Sequence, residues 1–299
     1  MSLINEALAQ FNTFLFLHFY FSVFIVFILG AIIGSFLNVV IYRYPLMLKS
    51  QWREECQSLL EIKEGQASKK INLLFPRSFC PSCKKNIPWW CNIPIIGYIL
   101  LFARCFHCCS RIPISYLLVE CLSAVASVIV FLHFGPTFLF LEVLLLTYGL
   151  IVLSFIDIQD RILPDTITLS LLWLGLLVSR QHYFVSPEAA ILGAVVGYLS
   201  LYFILQLYRI LRKKDGMGLG DCKMLALFGA WLGWMPLPQL LLIAALMALV
   251  IAVILLLLKK IKKDYLIPFG PYLAISGWVL TVYGDQWMML WLQTRMLLP

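Results

Sequence analysis

Apolar runs with almost no charge recur along the chain, most of them near the roughly 20 residues a helix needs to cross the hydrocarbon core of a bilayer. The first run extends from about residue 14 to Tyr42, with no charged residue between Glu6 and Arg43. Others follow at 114–134, 137–156, 166–179, 189–208 and 266–292. The stretch 222–258 is charged only at Lys223. At about 1.5 Å per residue it is too long for one crossing. Pro236 and Pro238 divide it into a short helix and a full one. The pattern predicts an all-α polytopic membrane protein with about eight transmembrane helices, the fourth and sixth short. Its domains are a first transmembrane segment at 1–42, a polar loop at 43–113 and a seven-helix membrane domain at 114–299.

Composition agrees: 62% of residues are hydrophobic and 13% charged. Soluble domains run near half and a quarter, so a pair of soluble domains is excluded. With eight spans, 20 of the 23 basic residues fall on one side, within 43–111, at Arg161, at 209–214 and at 259–263. Cytoplasmic loops carry such an excess, which sets that side as cytoplasmic and both termini as periplasmic. The net charge of +8 is thus a topology signal, and no nucleic-acid partner is needed to explain it. No basic residue precedes the first apolar run, which argues against a cleavable signal peptide. Gly30/Gly34, Gly193/Gly197 and Gly229/Gly233 are small-xxx-small pairs that would let helices approach closely.

The polar loop holds two CxxC knuckles, Cys80–Cys83 and Cys105–Cys108. Four thiolates at this spacing suit a tetrahedral zinc, as in a zinc ribbon. A reducing cytoplasmic location argues against disulfides. Four cysteines leave no open coordination position, so the predicted metal is structural and supplies folding free energy to the module. Cys91, His107 and Cys109 are close enough to compete as ligands, Cys109 most directly with Cys108. Cys56, Cys121 and Cys222 read as small buried residues.

Among the 15 acidic residues, those at span ends are informative. Asp157, Asp160 and Asp165 lie in the short connection between the third and fourth spans, and Asp221 opens the sixth. Glu120 lies deeper in the second span, while Glu142 and Asp285 lie near the outer face. Singly, each has an ordinary explanation: Asp221 as a helix N-cap, Asp157 as a partner for Arg161. Together, Asp157 and Asp221 stand at one depth on the cytoplasmic side, with Gly216, Gly218 and Gly220 clearing space ahead of Asp221. Two nearby carboxylates at low dielectric share a proton. One then activates water while the other protonates the carbonyl or leaving amine, which is aspartic-protease chemistry.

Five blocks in order resemble the type IV prepilin peptidases, the leader peptidase and N-methyltransferases of bacterial inner membranes. They are Gly34–Arg43, the CxxC knuckles with Trp89 and Asn92-Ile-Pro94 between them, Asp157 to Leu163-Pro-Asp165, Gly218–Lys223 and Ile267–Leu273. The resemblance implies Asp157 and Asp221 as catalytic residues. It further implies prepilin and pseudopilin substrates, cut on the cytoplasmic side after a glycine that ends a short basic leader. Methylation of the new N-terminal residue, usually Phe, from S-adenosylmethionine is implied too, in the service of type IV pili or type II secretion. The knuckles are associated with the methylation half. Ile114-Ser-Tyr-Leu117 and Trp90-Cys91 depart from the usual pattern. No glycine-rich S-adenosylmethionine loop is visible, so that site has no residues assigned. A proton-coupled carrier would place carboxylates at mid-membrane on several spans, and a docking factor would leave the aspartates without a purpose.

Overall fold

The computed structural model describes residues 19–60, 72–73, 78–80, 82–213, 218–258 and 267–296. The side chains of Trp89 and of 285–296 lie outside that description, among them Asp285 and Arg295. So do residues 14–18 of the first predicted span, Lys63, Lys69, Lys70, Arg77, Lys214, Gly216, Leu266 and the lysines of 259–263. Regular structure among the described residues is helical, apart from two isolated bridges in the cysteine loop. The chain forms two compact units, Met1–Val152 and Leu153–Pro299.

The first unit holds α1 (Phe19–Leu59), a 3-10 turn (Trp89–Asn92), the short α2 (Ile96–Leu100), α3 (Ile114–Phe134) and the start of α4 (Phe138–Asp160). The predicted first segment closes at Tyr42, yet α1 continues through Pro45 to Leu59. Leu, Met, Lys, Gln, Arg and Glu dominate this extension, and such straight-chain residues favour helix once the membrane pattern has ended. Arg43 is buried there, and its guanidinium donates to the carbonyls of Asn72 and Leu73 at 3.0 and 3.2 Å. Along α1, Gly30 and Gly34 face α3 so closely that a Cβ on Gly30 would lie 2.9 Å from the Cα of Ala124. The Ser123 hydroxyl uses the gap to donate to the Gly30 carbonyl at 2.8 Å.

The second unit surrounds α7 (Leu219–Leu232), where every residue from Met224 to Leu232 is buried. Around it lie α5 (Asp165–Val178), α6 (Pro187–Arg212), α8 (Leu237–Leu257) and α9 (Gly270–Met296). A helix apolar on all sides belongs in a protein interior, and α7 is one. Gly193 of α6 and Gly229 of α7 meet backbone to backbone; a Cβ on either would fall onto the other's carbonyl. Trp231 lies over Gly175 and donates its indole N–H to the Leu171 carbonyl at 3.0 Å. Ser186 caps α6 by accepting from the Ala189 N–H, with Pro187 as first helical residue.

A helix stands at each of the eight predicted places, and among the described residues five are long and apolar enough to cross a membrane: α1, α3, α4, α6 and α8. With 14 residues each, α5 and α7 reach about 21 Å, short of the roughly 30 Å core. Pro236 and Pro238 act as predicted: α7 ends at Leu232, and α8 starts with Pro238 in its first turn.

Candidate active site and metal centre

The four thiols of Cys80, Cys83, Cys105 and Cys108 converge, with all sulfur atoms within 4.8 Å of one another. A tetrahedron of zinc–sulfur bonds of about 2.3 Å has edges of about 3.8 Å. The Sγ atoms of Cys80 and Cys108 stand 3.8 Å apart, so this donor set fits zinc. The two knuckles share one turn. The N–H of Cys80 donates to Lys85 and that of Lys84 back to Cys80; likewise Cys105 donates to Ser110 and Cys109 back to Cys105. Lys84 and Cys109 hold the same left-handed position, at φ 59° and 56°. In that arrangement Cys109 closes the turn, and the Cys108 sulfur stands in the cluster. Cys91 and His107 also stand outside it.

Ser110, which sequence reasoning missed, lies 3.1 Å from the Cys108 sulfur and 3.7 Å from that of Cys80. Its side-chain and backbone hydrogen bonds hold the Cys108 thiol below the ordinary range. Burial opposes ionisation of Cys80, but hydrogen bonds from the Cys83 backbone, Ser110 and the Ser82 backbone lower it to about 6. Of the other cysteines read as buried, Cys222 is buried; Cys121 is half-buried, and Cys56 is exposed on the extension of α1.

Glu120 of α3 accepts the Ile95 N–H at 2.7 Å, although Ile95 holds φ 63°, costly for a β-branched residue. A carboxylate thus anchors the strained segment between the knuckles.

In the second unit, Asp157 and Asp160 belong to the last turns of α4; the predicted connection is shortened to 161–164. Arg161, at φ 56°, ends the helix by donating its N–H to the Asp157 carbonyl. Asp221 is the third residue of α7, with Gly218 as its N-cap. A carboxylate in a first turn is favoured by the helix dipole. Asp157 and Asp221 are 6% and 7% exposed, and their carboxylates interact electrostatically. Gly270 opens α9 and donates its N–H to Asp157 Oδ2 at 3.0 Å. Asp165 instead opens α5 and takes Lys223 on both oxygens at 2.6 Å. Leu163 and Gly270 enter the sequence reading only as members of motif blocks.

Two buried carboxylates on separate helices beside a loop end are an arrangement that general acid–base chemistry can use. Residues 28–134 match the bacterial peptidase A24 N-terminal domain, and residues 144–253 match the type IV leader peptidase family. The prepilin leader peptidase/N-methyltransferase of Stutzerimonas stutzeri is 42% identical over 87% of this chain and 90% of its own. Its namesake from Legionella pneumophila is 42% identical over 85% and 88%. That from Aeromonas hydrophila is 43% identical over 89% and 91%. No solved structure matches the chain. This chain belongs to the type IV leader peptidase family.

Proposed function

We propose that the protein is an inner-membrane aspartic endopeptidase that removes the short basic leader of prepilins and pseudopilins after glycine, then N-methylates the exposed residue. The observation that carries this reading is the pair Asp157 and Asp221, both buried and near enough to influence each other electrostatically, in a chain otherwise poor in charge. In such a pair the ionised carboxylate takes a proton from water as it attacks the scissile carbonyl. The protonated one donates to the departing amine. Water adds its hydroxyl to the carbonyl carbon, the C–N bond breaks, and the products are a leader acid and a free N-terminal amine. That amine is the group a methyltransferase needs.

Eight crossings with the basic segments inside would put this pair at the cytoplasmic face and both termini in the periplasm. The segments with Arg43, Arg161 and Arg209 then share one side. Cys80, Cys83, Cys105 and Cys108 would hold a structural zinc. S-adenosylmethionine would supply the methyl group; no residue is assigned to it.

The test is cleavage of a leader-bearing prepilin by purified protein. Asp157→Ala and Asp221→Ala should each abolish cleavage while the protein still inserts in the membrane. Full cleavage by Asp221→Asn would sink the dyad.

A further inference from the structure

Both aspartates depend on glycines that touch one side chain. Gly220 directly precedes Asp221, and the three atoms nearest a Cβ placed on it all belong to Leu163: Cβ, Cδ1 and Cγ at 2.8, 3.1 and 3.3 Å. Gly270 donates its N–H to Asp157. A Cβ there would lie 2.7 Å from Asp157 Oδ2, 3.2 Å from its Cγ and 3.3 Å from Leu163 Cδ2. Leu163 therefore reaches with one methyl toward the backbone that carries Asp221 and with the other toward the backbone that holds Asp157. Pro164, the N-cap of α5, follows it directly in the chain. The first N–H groups of a helix lack intrahelical acceptors and are well suited to bind an anion. Gly270 presents one such donor, and only glycine leaves room for the carboxylate against it.

We infer that Leu163 is the spacer of the aspartate pair and Gly270 its positioning residue. Leu163 sets the distance between the two supporting backbones, and the Gly270 N–H fixes which oxygen of Asp157 is held and which faces the reaction. The inference rests on the reading of Asp157 and Asp221 as the dyad. Displacing catalytic groups by about 1 Å can cost about 100-fold in rate.

The two glycines differ in what blocks a side chain, and this difference gives the test. Gly220→Ala conflicts first with Leu163, whose atoms are the nearest to the added Cβ, so its penalty should fall sharply once Leu163 is trimmed. Gly270→Ala conflicts first with Asp157 itself, so trimming Leu163 should not help. Cleavage kinetics with a leader-bearing prepilin are measured on full-length protein for Gly220→Ala, Gly270→Ala and Leu163→Gly, and for each glycine variant combined with Leu163→Gly. Leu163→Ala replaces Leu163→Gly in the same set if the latter does not fold, judged by thermal unfolding in detergent; it keeps the Cβ but removes Cγ and Cδ1, so the Gly220→Ala penalty should still be smaller than in the natural background. Gly220→Ala should lower kcat by about 100-fold in the natural background and by less than about 3-fold with Leu163 trimmed. Gly270→Ala should lower kcat equally in both backgrounds, with KM almost unchanged throughout. Independent, multiplying penalties for Gly220→Ala and the Leu163 variant would overturn the inference, as would losses confined to KM. Asp157→Ala and Asp221→Ala run alongside. Cleavage surviving in those two refutes the dyad reading, whereas their inactivity with multiplying penalties refutes the spacer alone.

Discussion

The two units solve the same problem, holding reactive groups in place, with opposite materials. In the cysteine module of Met1–Val152 only Cys80 of the four ligands is buried, and short turns closed by single bridges do the holding. Around Asp157 and Asp221 the holding is done by helices in near backbone contact, with α7 buried along most of its length. The first arrangement has little apolar burial to offset chain entropy, a deficit that a bound cation would make good. The second is packed so closely that an added Cβ at Gly193, Gly229 or Gly270 would meet neighbouring atoms within 3 Å. What perturbs one unit should therefore leave the other nearly untouched.

The sharpest break of that comparison is chemical. Replacing Asp157 or Asp221 should eliminate cleavage of a leader-bearing prepilin while zinc content, measured by metal analysis, stays the same. Conversely, Cys80→Ser with Cys83→Ser should abolish zinc binding and impair methylation of a pre-cleaved pilin far more than leader cleavage. Equal loss of both activities would erase the distinction between the units. Zinc absent from the intact protein would remove its basis.

Steric perturbation comes next. Gly229→Val places a branched side chain on the Gly193 carbonyl, where backbone cannot yield as a side-chain tip does. Overpacking of this kind costs about 3 kcal/mol, so the Leu153–Pro299 unit should melt earlier and cleavage should fall with it. The cysteine module should keep its zinc. A smaller loss is expected from Trp231→Phe, which removes the hydrogen bond to the Leu171 carbonyl but keeps most of the ring packing. About 1 kcal/mol in detergent unfolding is the expected cost.

Much of this was legible in the sequence, and the shortfalls have physical causes. Hydropathy located helix at all eight places because surface that meets lipid, or in α7 the protein interior, must be apolar. It misjudged the end of α1 because it marks where lipid stops, whereas Lys49, Arg53 and their neighbours continue the helix in a polar setting. The spacing of the knuckles identified four thiols but could not choose between the adjacent Cys108 and Cys109. The left-handed turn chooses, and that is a backbone property. The glycine motifs marked close approach without saying that Gly193 meets Gly229. Asp157 and Asp221 stood out because charge is scarce, while the donor of Gly270 was invisible: an N–H is present at nearly every residue, and only tertiary structure aims this one.

The smallest expected effect sits at the edge of the buried region. Lys223, the fifth residue of α7, meets Asp165, the first of α5, through two contacts of 2.6 Å. The side chains are 26% and 56% exposed, so water and salt screen most of the attraction. Asp165→Asn and Lys223→Met, measured singly and together in a double-mutant cycle, should give a coupling below about 1 kcal/mol that shrinks further in high salt. Lys223 lies two residues beyond Asp221, so the cycle also reports where the rigid region stops. A coupling above about 2 kcal/mol, insensitive to salt, would move this pair from the solvated rim into the same packed structure that holds the aspartates.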